Sequence, residues 1–78
     1  MNDRVALVTG AGRGIGRAIA VALAEQAWRV AVNFRGNAHT AQETLQLIRS
    51  AGGEGLLVQA DVSNAADRSR LVAATLEY

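Results

Sequence analysis

Directly after the apolar run Val5-Ala6-Leu7-Val8 the chain reads Thr9-Gly10-Ala11-Gly12-Arg13-Gly14-Ile15-Gly16. Four β-leaning residues that break into glycines and then into helical periodicity leave few folds open. The run suits a parallel strand covered on both faces. The glycines let the backbone turn sharply and come close to a ligand with no Cβ in the way. The helix behind them offers unpaired N–H groups and the positive end of its dipole to an anion. This is a phosphate cradle, and the ligand it implies is a dinucleotide. A P-loop would need a lysine to neutralise the terminal phosphates. The chain has eight arginines and no lysine, which excludes that class.

The rest of the chain repeats the strand-then-helix unit. From Gly14 to about Gln26, Ile15, Ala18, Ile19, Ala22 and Leu23 recur at helical steps and form the expected apolar stripe. Gly16, in the first turn, lets this helix lie close to the sheet. Val30-Ala31-Val32 reads as a second strand. A second helix starts between Asn37 and Thr40, capped either by Asn37 or through the box Thr40-Ala41-Gln42-Glu43. Its buried stripe is Ala41, Leu45 and Ile48, and Gly52-Gly53 end it. Leu56-Leu57-Val58 gives a third strand. Ser63 or Asn64 caps a third helix with Leu71, Val72, Thr75 and Leu76 inside. The expected fold is α/β: half of a Rossmann doubly wound parallel sheet, βαβαβα, with right-handed crossovers and strand order 3-2-1. Gln26-Ala27-Trp28 is the odd junction. A left-handed residue, normally glycine, belongs at the end of the first helix. Ala27 there costs about 1 kcal/mol, and packing of Trp28 over the helix end is the expected offset.

Composition narrows the class further. Seventy-eight residues make one small domain, near the lower limit for a self-sufficient core. Without cysteine there is neither a disulfide nor a thiolate metal site, and the single His39 allows no histidine cluster. A net charge of +1 on scattered arginines is no nucleic-acid footprint. No apolar run approaches the roughly 20 residues that cross a membrane. The first strand begins within a few residues of Met1, which leaves no room for a leader. The expected location is the cytoplasm.

Three positions bear on the choice of cofactor. A site for NAD usually places Asp or Glu about 20 residues beyond the glycines, to accept from the ribose 2′-OH. Here the second strand ends in Asn33-Phe34-Arg35, with no acid. A guanidinium grips a 2′-phosphate that a carboxylate would repel. Arg35, with Arg13 approaching from the glycine turn, therefore favours NADP(H) over NAD, the ordinary alternative being that either arginine faces solvent. Asp61 follows the third strand at the carboxyl edge of the sheet, where such folds bind ligands; the alternative is that it caps the third helix. His39 has no acid or nucleophile near it in sequence and reads as a surface residue. Ser50, Ser63 and Ser69 have no partner base and read as caps or exposed positions.

Val5 to Arg17 resembles the opening of the short-chain dehydrogenase/reductase family, whose cofactor motif is matched by Thr9, Gly10, Gly14, Ile15 and Gly16. The resemblance covers essentially the whole chain, with Val30 to Arg35 similar to the family's second strand and Asp61-Val62-Ser63 to the end of its third. The general character is closest to the 3-oxoacyl-[acyl-carrier-protein] reductase branch. It implies that Thr9 shapes the turn and that Arg13 and Ile15 contact the cofactor. It also implies that Asp61 accepts from the adenine amino group and that the Val62 backbone touches the ring. The cofactor-binding set is thus Gly10, Gly12, Arg13, Gly14, Ile15, Gly16, Arg35, Asp61 and Val62. The family's catalytic serine, Tyr-x-x-x-Lys pair and asparagine belong to the second half of the fold. This chain's only tyrosine is Tyr78, its last residue, so no catalytic residue is assigned.

Residues 1–78 are then expected to be the N-terminal, dinucleotide-binding part of a truncated domain. The full protein would move hydride between NADPH and a carbonyl or alcohol, and would form a homo-oligomer. The alternative is a stand-alone nucleotide-binding or interaction module without catalysis, or a non-functional gene fragment. An uncovered first strand predicts a marginal or aggregation-prone monomer.

Overall fold

In the computed structural model, which describes residues 4–78, strands and helices alternate through the chain. Residues 1–3, on which the expectation of no leader rests, lie outside it. The order is β1 (Val5–Val8), α1 (Gly14–Glu25), β2 (Arg29–Phe34), α2 (Ala38–Ser50), β3 (Glu54–Gln59) and α3 (Ala65–Glu77). The three strands form one parallel sheet with β2 in the centre. Val5 lies opposite Arg29, Arg29 opposite Glu54, and Phe34 opposite Gln59. The expected half-Rossmann fold and strand order are what the structure shows.

Alternation along the strands sends successive side chains to opposite faces of the sheet. Val8, Val30, Val32 and Leu57 pack with Ala20, Ala24 and Ile48, under α1 and α2. Leu7, Leu56 and Val58 pack with Leu71 and Ala74 of α3, on the other face. The strand covered on both faces is β2, where Val30, Ala31, Val32 and Asn33 are all buried. Each residue of β1 is only half-buried, because β1 has a neighbour on one side alone.

The helices bury faces that differ from the expected stripes more than the strands do. In α1 the buried residues are Ala20 and Ala24, with Val21 and Leu23 beside them. Ile15, Ala18, Ile19 and Ala22 are exposed, and of the expected stripe only Leu23 joins the core. The small row Gly16-Ala20-Ala24 lets the helix backbone approach the sheet more closely than an isoleucine row would allow. In α2 the buried row is Ala41, Thr44 and Ile48, with Leu45 half-buried. In α3 Leu71 is inside, whereas Val72 and Leu76 are exposed.

The caps resolve the open choices. Asn37 caps α2 and Asn64 caps α3, each side chain accepting from the N–H three residues on. Gln26 ends α1, with Ala27 left-handed at φ 67°. Trp28 N–H bonds to Leu23 O at 3.1 Å and Ala27 N–H to Ala24 O at 2.9 Å, the paired bonds of a Schellman end. Trp28 is half-buried against the core, and the Arg4 guanidinium lies 5.3 Å from the centre of its ring. No helix among the described residues is long and apolar enough to cross a membrane.

Candidate functional site

At the carboxyl edge of the sheet the chain leaves β1 and turns into α1 through the glycines. Gly14, at φ 63°, occupies the left-handed region that other residues enter only with strain. Gly16 is fixed by contact instead: a Cβ there would lie 2.4 Å from the carbonyl oxygen of Gly10, so α1 can sit this near the turn only with glycine at that position. The first helical bond runs from Arg17 N–H to Arg13 O at 3.3 Å. The N–H groups of Gly14, Ile15 and Gly16 therefore precede the ladder and have no partner within it. Arg13, the N-cap, is extended and its side chain does not cap, and the first turn of α1 carries no acid. The helix dipole thus points at a cradle that the protein's own carboxylates leave open to an anion.

Asn33, which is 3% exposed, braces this turn from β2. Its Oδ1 accepts from Gly10 N–H at 3.2 Å, while its Nδ2 donates to Val58 O at 3.3 Å and Ala60 O at 3.1 Å. Its backbone carbonyl accepts from Ala11 N–H at 2.9 Å. One buried amide thereby ties the end of β1 to the end of β3. Sequence reasoning registered Asn33 only as the absence of an acid. The available signal was an amide at the end of an otherwise apolar strand.

Beside the turn lies a cleft of about 260 Å³. Gly10, Gly12 and Arg13 line one side, and Phe34, Arg35, Gly36, Asn37 and Thr40 the other. No lining residue is acidic. Arg13 and Arg35 thus face one cleft, as their positions in the sequence suggested. Arg35 is 79% exposed and its Nη2 lies 3.5 Å from Asp61 Oδ2, so two expected site residues pair with each other. An exposed pair of this kind is worth about 0–1 kcal/mol, a small barrier to redirecting Arg35.

Asp61 does not cap α3. Its Oδ1 accepts from Ser63 N–H at 2.9 Å and from Ser63 Oγ at 2.6 Å, forming an Asx turn just after β3. The Ser63 hydroxyl and then its N–H, with a smaller contribution from Arg35, hold the carboxyl below its ordinary 3.8 against the opposing effect of burial. The Asp61 N–H donates to Asp67 Oδ2 at 2.8 Å, which anchors the turn to α3. Val62 is exposed, and its carbonyl accepts from Arg68 Nη1 at 2.8 Å. Ile15, 82% exposed, projects at the start of α1. His39 is exposed in the first turn of α2, and Ser50 and Ser69 are also exposed. Tyr78 lies at the opposite end of the sheet, its ring 4.3 Å from the guanidinium of Arg29, the first residue of β2.

The sequence and the fold are similar to those of known proteins. The family model described as short chain dehydrogenase matches residues 4–78. The chain is 51% identical over 69 residues to the uncharacterized oxidoreductase YgfF of Escherichia coli K12, covering 88% of this chain and 27% of that protein. It is 45% identical over 77 residues to the 3-oxoacyl-[acyl-carrier-protein] reductase of Synechocystis, covering 99% of this chain and 31% of that one. A solved structure from Sinorhizobium meliloti 1021, described as a short-chain alcohol dehydrogenase, superposes with a TM-score of 0.89 at 40% identity, covering 99% of this chain and 30% of that one. The chain thus spans less than a third of the length of these relatives. With the glycine turn, the parallel sheet and the match over residues 4–78 all in agreement, the chain belongs to the short-chain dehydrogenase family.

Proposed function

We propose that this chain holds the adenosine and pyrophosphate portion of NADP(H), in preference to NAD(H), and forms the cofactor-binding part of a reductase. The observation that carries the reading is the cleft at the end of β2, which two arginines face and no carboxylate lines. The pyrophosphate would lie on the open amides of Gly14, Ile15 and Gly16, beside Gly10 and Gly12. A 2′-phosphate would lie between Arg13 and Arg35, drawing Arg35 from Asp61. The freed Asp61 Oδ2 is then available to the adenine amino group, with the Val62 backbone alongside. The residues of this chain would hold and orient the adenosine end, and the chemistry such a cofactor would supply is hydride exchange with a carbonyl or alcohol.

The test compares NADPH and NADH titrations of the chain and of Arg35→Ala. Tighter NADPH binding is expected, with the preference falling about tenfold in the variant, equivalent to losing about 1.4 kcal/mol at the 2′-phosphate. Equal affinity for the two cofactors, or a variant that loses both alike, would overturn the preference.

A further inference from the structure

Arg17 and Thr44 bond to the glycine turn from α1 and α2 and are not among the residues that line the cleft. Thr44 is fully buried in α2, yet its hydroxyl serves another element. Its single hydroxyl hydrogen is shared among Ala11 O at 2.9 Å, Gly12 O at 3.1 Å and, more weakly, Thr40 O of its own helix at 3.4 Å, and its Oγ1 accepts from Arg17 Nε at 2.9 Å. Arg17 Nη2 donates to Gly12 O at 2.7 Å and to Thr40 O at 2.8 Å, with Glu43 Oε1 at 3.6 Å. A cation in the first turn of a helix sits at the unfavourable end of the dipole, so Arg17 is not placed there for the sake of α1. Its guanidinium reaches the turn on one side and α2 on the other.

We propose that Arg17 and Thr44 are positioning residues that set dinucleotide affinity by orienting the glycine turn without touching the cofactor. The inference rests on the dinucleotide reading of the same turn. Each peptide unit is planar and trans, so its C=O and N–H point in opposite directions. Pinning Ala11 O and Gly12 O against α2 therefore turns the N–H groups of Gly12 and Arg13 the other way, toward the phosphate side. A glycine-rich segment left unpinned would spread over many conformations, and binding would have to order it. The clamp does that ordering in advance.

The test measures NADPH and NADH dissociation constants and thermal midpoints for the full chain, Thr44→Val, Thr44→Ser and Arg17→Met. Valine keeps the shape of threonine and removes only the hydroxyl. Thr44→Val and Arg17→Met are expected to weaken both dinucleotides by one common factor of about ten, equivalent to about 1.4 kcal/mol, with the NADPH-to-NADH ratio unchanged. Thr44→Ser, which keeps the hydroxyl, is expected to restore wild-type affinity. Amide exchange at Gly10 and Ala11, whose N–H groups donate to Asn33, should quicken in Thr44→Val below the melting range, a change that general destabilisation would not confine to the turn. Wild-type affinity in Thr44→Val at a temperature where it is fully folded would overturn the clamp. If Thr44→Val does not fold, Arg17→Lys decides, because lysine keeps the charge and loses the fork; unchanged affinity there would overturn the clamp too. A wild-type chain that binds neither dinucleotide would overturn the underlying reading, whereas binding that the variants leave untouched removes the clamp alone.

Discussion

Asp61 is kept ionised chiefly by Ser63, whose hydroxyl and N–H both donate to the same carboxylate oxygen. A carboxyl shifted down on folding contributes stability that is present above its unfolded value and lost as pH falls through its folded one. Neutral and mildly acidic solutions therefore find Asp61 charged and able to accept a hydrogen bond. A carboxyl-carbon NMR titration should put its midpoint below the ordinary 3.8. Ser63→Ala should raise the midpoint clearly and Arg35→Ala raise it less, since Arg35 is the smallest of the lowering causes. An unmoved midpoint in Ser63→Ala would contradict this account. Single residues were legible in the sequence where position or the lack of a side chain decides: Arg13 and Arg35 line one cleft, and Gly16 leaves no room for a Cβ. Asn33, Arg17 and Thr44 were not, because each reaches a backbone group 23 to 33 positions away. Side-chain pattern carries no record of such partners.

The ends of α1 and α2 form a natural comparison at the scale of elements. Both close with Schellman bonds, Trp28 to Leu23 and Ala27 to Ala24 in one, Gly53 to Ile48 and Gly52 to Arg49 in the other. The left-handed position holds glycine in α2, at φ 86°, but alanine in α1, at φ 67°. Ala27→Gly removes about 1 kcal/mol of strain and gives back part of it as unfolded-chain entropy, for a net gain of about 0.5 kcal/mol. A thermal melt should rise by about 2–4 °C, and a fall would show that Ala27 contributes something the strain argument misses. Element types and order were legible because glycines, asparagines and apolar runs punctuate the chain. The inner face of α1 was not, since Gly16, Ala20 and Ala24 are small and weakly apolar while Ile15 and Ile19 are large and exposed. Hydrophobicity marks what must be covered, but close approach is decided by size.

For the whole molecule, a radius of gyration of 11.4 Å matches the ~11.5 Å of a compact domain of this length. Its surface is less typical. Ile19 and Leu76 are 48% and 81% exposed, and β1 keeps one side without a neighbour. Exposed apolar surface and an open strand edge favour self-association. Replacing both Ile19 and Leu76 by Glu should lower light scattering of the concentrated chain. Exposed positions usually contribute within about 0.5 kcal/mol each, so the melting point should shift by no more than about 8 °C. Undiminished scattering would place the sticky surface elsewhere. The sheet also pairs only consecutive strands. Among the described residues, the hydrogen bonds that shape the glycine turn close within residues 9 to 44, apart from the Asn33 bonds to Val58 and Ala60. The Asx turn at Asp61 waits for Ser63 and Asp67. A ribosome releases a chain amino terminus first, so translation delivers the glycine turn and both lining walls of the cleft, through Thr40, before Asp61 and Ser63 have been synthesised.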